Sequence, residues 1–154
     1  MHLTLSTAAI ALGALVGTAV GESHTVIFQN FCGYGTPLLI QGNNVLSRGF
    51  EYHSDGPLVS AIAYLQTGNC NFNGENCTLL ETTLLNFAPG NAGSLTGINL
   101  RPPHQFSVPT GFNYFSGCDG AGSNCLDPDC PATSSPVSCQ EDNINLIIKF
   151  CSIL

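Results

Sequence analysis

The chain has 154 residues, with ten acidic and three basic side chains and a formal net charge of −7. That balance disfavours nucleic acid and anionic membrane surfaces as partners, since so few cations can neutralise neither. Charged residues make up only 8% of the sequence, so Asn, Gln, Ser, Thr and backbone must cover most of the surface.

In chain order, residues 1–21 (MHLTLSTAAIALGALVGTAVG) form an uncharged, largely apolar leader. Ala19 and Gly21 satisfy the small-x-small rule of signal peptidase, with cleavage after Ala19 as the alternative. Thr4, Ser6, Thr7, Gly13 and Gly17 dilute its apolarity, which favours a cleaved signal over a membrane anchor. Residues 22–154 are then expected as a single secreted domain.

The first strand is predicted over 25–28 (TVIF), running to Asn30, because β-branched and aromatic residues follow one another there. Gly33 and Gly35 turn the chain into a second strand at 36–41. Gly42-Asn43-Asn44 is the next turn, and 45–49 a short strand end. Residues 54–57 (SDGP) read as a turn. Residues 58–66 (LVSAIAYLQ) are apolar enough for a buried strand, with a helix as the alternative that periodicity alone leaves open. Residues 78–85 alternate like a strand, which puts Leu79, Glu81 and Thr83 on one face. Strands are also expected at 95–100 and 105–108, each closed by proline. Residues 117–138 are poor in apolar side chains and form an irregular excursion held by cysteines. A last strand is expected at 145–151. Frequent turn signals and the lack of a long helical pattern predict an all-β sandwich.

All eight cysteines lie beyond residue 30, at 32, 70, 77, 118, 125, 130, 139 and 151. An even set behind a leader reads as a disulfide framework formed outside the cell. Zinc is disfavoured because no Cys-x2-Cys spacing occurs. No cofactor or metal is implied by any motif. No Gly-x-Ser-x-Gly elbow marks a serine nucleophile, and the glycines at 120–123 lack the lysine of a phosphate loop.

Several segments resemble thaumatin-like proteins. HTVIFQNFC (24–32) is similar to their opening strand and first cysteine. TGNCNFNGENC (67–77) is similar to their disulfide hairpin, and TLLETTL (78–84) to a strand carrying a threonine-leucine-x-glutamate element. INLRPPHQFSVP (98–109) resembles the strand that ends in phenylalanine-asparagine-valine-proline, and IIKFC (147–151) the terminal strand. The likeness is greatest to the small secreted thaumatin-like glycopeptides of fungi. It implies the small form of the thaumatin-like β-sandwich, with Cys32 joined to Cys151 and Cys70 to Cys77. The gap from Cys139 to Cys151 then suggests Cys118 with Cys139, leaving Cys125 with Cys130.

The resemblance also implies an acidic cleft, in which some members bind or hydrolyse β-1,3-glucan. Glu81 matches one cleft acid and is the candidate catalytic residue, although a solvent-facing strand position is the plainer explanation. A glycosidase needs two carboxyls, about 5 to 9.5 Å apart. The family's next acid aligns with Gly97 and the following one near His104; the nearest cation is Arg101. Asp119, Asp127, Asp129, Glu141 and Asp142 are alternative acids, most of them in turn-like sequences. Aromatic side chains can offer stacking faces to a sugar. Tyr114 and Phe115, between Gly111 and Gly117, read as the most exposed. Glu81, Tyr114, Phe115 and Asp119 are therefore the candidate ligand-binding residues. Asn76, in Asn-Cys-Thr, is the candidate glycosylation site.

The function expected is a secreted, non-enzymatic module in defence or host interaction that binds cell-wall glucan or a secreted partner protein. The alternatives are an endo-β-1,3-glucanase using Glu81, and an inhibitor of a foreign hydrolase.

Overall fold

The computed structural model describes residues 21–130 and 135–152, so the predicted leader lies outside the described residues apart from Gly21. The described residues form eleven strands and no helix: β1 (Ser23–Asn30), β2 (Thr36–Gln41), β3 (Asn44–Ser47), β4 (Tyr52–Asp55), β5 (Leu58–Gln66), β6 (Leu79–Leu84), β7 (Ser94–Asn99), β8 (Thr110–Phe115), β9 (Gly122–Cys125), β10 (Val137–Cys139) and β11 (Asn145–Phe150). They build two sheets, one of five strands in the order β4-β1-β11-β8-β9, the other of six in the order β10-β7-β6-β5-β2-β3. Every pairing is antiparallel except β1 with β11, the first and last strands, which run parallel in the middle of the smaller sheet.

Period-two patterning creates the core between the sheets. β11 turns Leu146, Ile148 and Phe150 inward, and β8 turns Phe112 and Tyr114. Leu39, Ala63, Leu65, Leu80, Leu84 and Ile98 meet them from the larger sheet. Phe150 stacks on Phe28 with ring centroids 6.4 Å apart. β2 and β5 do not alternate, and the reason is a second cluster. Leu38, Ile40, Tyr64 and Leu79 point out of the sandwich but are covered by the Cys70–Cys77 hairpin. A strand buried on both faces reads as a continuous apolar run, which settles residues 58–66 as a strand.

The disulfides are Cys32–Cys151, Cys70–Cys77, Cys118–Cys139 and Cys125–Cys130, the pairing that the resemblance implies. No cysteine is free.

Three expectations are corrected. Residues 105–108 are not a strand: this segment is tied down by Thr78, whose hydroxyl accepts from Ser107 N–H at 2.9 Å and donates to the Val108 carbonyl at 3.1 Å. The turn read at 54–57 overlaps β4, a polar edge strand that takes its shape from pairing with β1. The excursion at 117–138 contains β9 and β10; β9 pairs with β8, and β10 closes the edge of the larger sheet against β7.

Candidate functional site

Glu81 is exposed on the outer face of the six-stranded sheet, directly between Ile62 of β5 and Gly97 of β7. These residues line a groove of about 340 Å³ together with Ser60, Thr83, Leu95 and Pro136. The β5–β6 register shifts between Leu58 and Ala61. Within that bulge Ser60 takes a φ of 53°, and its N–H donates to Thr83 Oγ1 at 3.0 Å. Bulges re-aim side chains beside functional sites, and a non-glycine residue at positive φ stores strain. Here both fall in the groove wall, at Ser60. Asn99 donates its amide to the Glu81 carboxylate at 3.4 Å.

Among the described residues, Glu81 is the one carboxylate lining this groove. The position facing it across the β6–β7 ladder is Gly97, and Pro136 lies over it. A Cβ on residue 97 would come 3.3 Å from Pro136 Cβ. A side chain at this position would therefore crowd the proline ring. His104, where the resemblance places a further acid, is absent from the groove lining, and its Nδ1 faces the Gly74 carbonyl at 3.0 Å. Arg101 is exposed, on the segment between β7 and β8.

The other sequence candidates are dispersed. Tyr114 is not exposed: it is fully buried in the core, and its hydroxyl donates to the Val137 carbonyl at 2.9 Å. The glycines beside it belong to strand and turn, and they do not uncover the ring. Phe115 is half-buried, one residue on and pointing to the opposite sheet face. Asp119 closes a turn, accepting from Gly117 N–H at 3.1 Å. Asp127 does likewise for Asp129 N–H at 3.0 Å, and Asp142 accepts from Phe87 N–H at 3.1 Å. The structure therefore does not bring Tyr114, Phe115 or Asp119 to Glu81. Asn76 is exposed, but Thr78 of the same sequon is buried with its hydroxyl already bonded.

Burial pushes the Tyr114 phenol up to about 12, with a hydrogen bond to Thr96 opposing the shift. The unfolded value is near 10. A folded value above the unfolded one means that this group's contribution to stability is intact below pH ~10 and is lost as pH rises through ~12. Tyr114→Phe should therefore abolish the most alkaline step in the tyrosinate absorbance titration. It should also cost about 1 kcal/mol in urea unfolding, because the Val137 carbonyl loses its donor.

Two polar arrangements were not anticipated. Beneath the groove, Thr82 and Thr96 pair their buried hydroxyls at 2.7 Å across the ladder. On edge strand β4, His53 bridges the Thr25 hydroxyl at 3.2 Å and the Asp55 carboxylate at 3.2 Å. That hydroxyl–imidazole–carboxylate chain has the order of a nucleophilic triad. However, Asp55 is 96% exposed, so water screens the charge that would have to hold the imidazolium. His and Asp two apart on a strand share a face, which is the only sequence signal for it. No group of three His, Cys, Asp or Glu side chains suited to a metal ion occurs among the described residues.

The groove, the hairpin and the paired cysteines can be set beside known proteins. No family model matches the sequence, and no curated protein does. Among solved structures, a thaumatin-like xylanase inhibitor superposes with a TM-score of 0.56 at 20% identity, covering 84% of this chain and 99% of that one. At that identity the likeness speaks for the fold: two packed sheets, no helix among the described residues and four disulfides are the small form of the thaumatin-like β-sandwich.

Proposed function

We propose that the protein is an exported, non-enzymatic thaumatin-like module that binds β-1,3-glucan of a cell wall, in defence or host interaction. The observation that carries this reading is the groove with a single carboxylate, its facing position held by Gly97 under Pro136. Retaining and inverting glycosidases both need a second carboxyl within about 10 Å to donate or accept the other proton. Glu81 alone can accept hydrogen bonds from sugar hydroxyls but cannot divide the work of acid and base. Four disulfides suit an oxidising, extracellular setting and support export. Residues 1–21 are read as the signal that brings it there. Any glycan on Asn76 would have to be added before Thr78 is buried.

Incubation with soluble laminarin should release no reducing ends, while insoluble β-1,3-glucan should retain the protein. Release of reducing ends that vanishes in Glu81→Gln would overturn the binding-only reading.

The solved neighbour favours a second reading, inhibition of a foreign hydrolase, because that protein inhibits a xylanase. Slowed xylan hydrolysis on adding the purified chain, with no retention on glucan, would favour it.

A further inference from the structure

Large aromatic side chains left in water are the other unexplained feature of the molecule. Phe50 is 80% exposed, Phe31 62% and Tyr34 58%. Chain order scatters them, but the topology collects them. β1 ends at Asn30 and β2 begins at Thr36, so Phe31 and Tyr34 share the turn 31–35. β4 runs antiparallel to β1 with Tyr52 opposite Val26, which carries the preceding Phe50 alongside the end of β1. Gly49, next to Phe50, packs on the ring of Pro37, at the start of β2. All three rings thus stand at one end of the sandwich. The loops at the other end expose a single large aromatic, Phe87, among the described residues.

The turn that carries Phe31 and Tyr34 is rigid. The Asn30 amide donates to the Tyr34 carbonyl at 2.9 Å and, more weakly, to that of Gly35 at 3.4 Å, while its oxygen accepts from Cys32 N–H at 3.0 Å. Phe31 N–H donates to the Phe150 carbonyl at 3.0 Å, and Cys32 is bonded to Cys151. Gly33 and Gly35 take φ values of 74° and 76°, which side chains rarely adopt. A backbone fixed before binding loses little freedom when a partner arrives. A clustered apolar surface on an otherwise polar molecule marks a binding site.

Charge selects the occupant. The turn 31–35 carries no charge, and Phe50 lies between Arg48 and Glu51, whose opposite charges balance. The chain as a whole is at −7, which repels anionic lipid and polyanions. An aromatic platform of no net charge matches a neutral sugar chain. The apolar faces of pyranose rings stack on aromatics, and their hydroxyls bond at the rim.

We propose that Phe31, Tyr34 and Phe50 form a platform for a neutral polysaccharide, and that this end of the sandwich, apart from the Glu81 groove, is the main contact with it. The inference rests on the binding-module reading and adds the surface to it. The probe is insoluble β-1,3-glucan, with the wild-type chain, the triple variant Phe31→Ala/Tyr34→Ala/Phe50→Ala, Phe50→Ser alone and, as the control from the other end, Phe87→Ala. The triple variant should bind at least about tenfold more weakly and Phe50→Ser about threefold, with Phe87→Ala unchanged. Thermal unfolding should stay close to wild type, because these rings are mostly in water; if the triple variant unfolds early, Phe50→Ser carries the comparison. Undiminished binding by the ring variants overturns the platform and leaves the binding-module reading standing. A wild-type chain that ignores the glucan overturns both. Uptake by phosphatidylcholine vesicles in place of glucan makes the platform a lipid contact and overturns the sugar assignment.

Discussion

Replacing Cys32 and Cys151 together by alanine should lower stability by about 5 kcal/mol, the largest effect expected of any one cross-link here. The two residues are 119 apart in sequence, so the bond removes a very long loop from the unfolded ensemble. Cys70–Cys77 and Cys125–Cys130 span only 7 and 5 residues, and each is worth nearer 2.5 kcal/mol on the same chain-entropy reasoning. The long bond also acts where it matters most for topology. It lies at the ends of β1 and β11, the parallel pair that joins the two chain ends within one sheet. Domains of this size are stable by only about 5 to 15 kcal/mol, so the double variant should be marginal at room temperature. Urea unfolding of the wild type, this variant and Cys70→Ala/Cys77→Ala makes the comparison. A loss for the long bond no larger than for the hairpin would refute the entropic account.

Gly93→Ala should cost about 3 to 5 kcal/mol, from two sources that add. Its φ of 71° is unfavourable for any side chain, and a Cβ there would lie 2.5 Å from the Cys139 carbonyl oxygen. That oxygen cannot retreat, because Cys139 is paired with Ser94 at the β10–β7 edge and bonded to Cys118. Gly90 in the same loop is the control. Its φ is 99°, but nothing lies within 4 Å of the position a Cβ would take. Gly90→Ala should therefore show only the conformational cost, about 1 to 2 kcal/mol. Equal midpoints for the two variants would mean that the β10 edge yields freely.

Strands whose two faces differ in environment can be recognised in advance by their alternation, whereas β2 and β5 were read from apolar content alone. In β11, Leu146, Ile148 and Phe150 face the core while Asn145, Ile147 and Lys149 do not, and the alternation shows in the sequence. β6 alternates for the same reason, which put Leu79, Glu81 and Thr83 on one face, and in the structure Glu81 is exposed there. β8 carries a similar signal in Phe112 and Tyr114. The glycines on either side drew attention away from it and made a core tyrosine look exposed. β4 and β9 have almost no apolar side chains, and what makes them strands is a partner's open edge. In β9, Gly122 comes so close to the Phe112 carbonyl that no side chain would fit. Such a requirement belongs to the pair of strands and cannot be seen in either alone.

Cysteine number, the shortage of charge and the period-two stretches are properties of the chain read locally, and they sufficed for a cross-linked β-protein. Whether Glu81 has an acidic neighbour is a question of register, because the pairing of β6 with β7 sets Gly97 opposite it, with Pro136 close above. The gathering of Phe31, Tyr34 and Phe50 likewise depends on which strand ends meet. Sites of this kind are made by residues far apart in sequence, whose proximity is enforced only when two sheets pack and bury a common core.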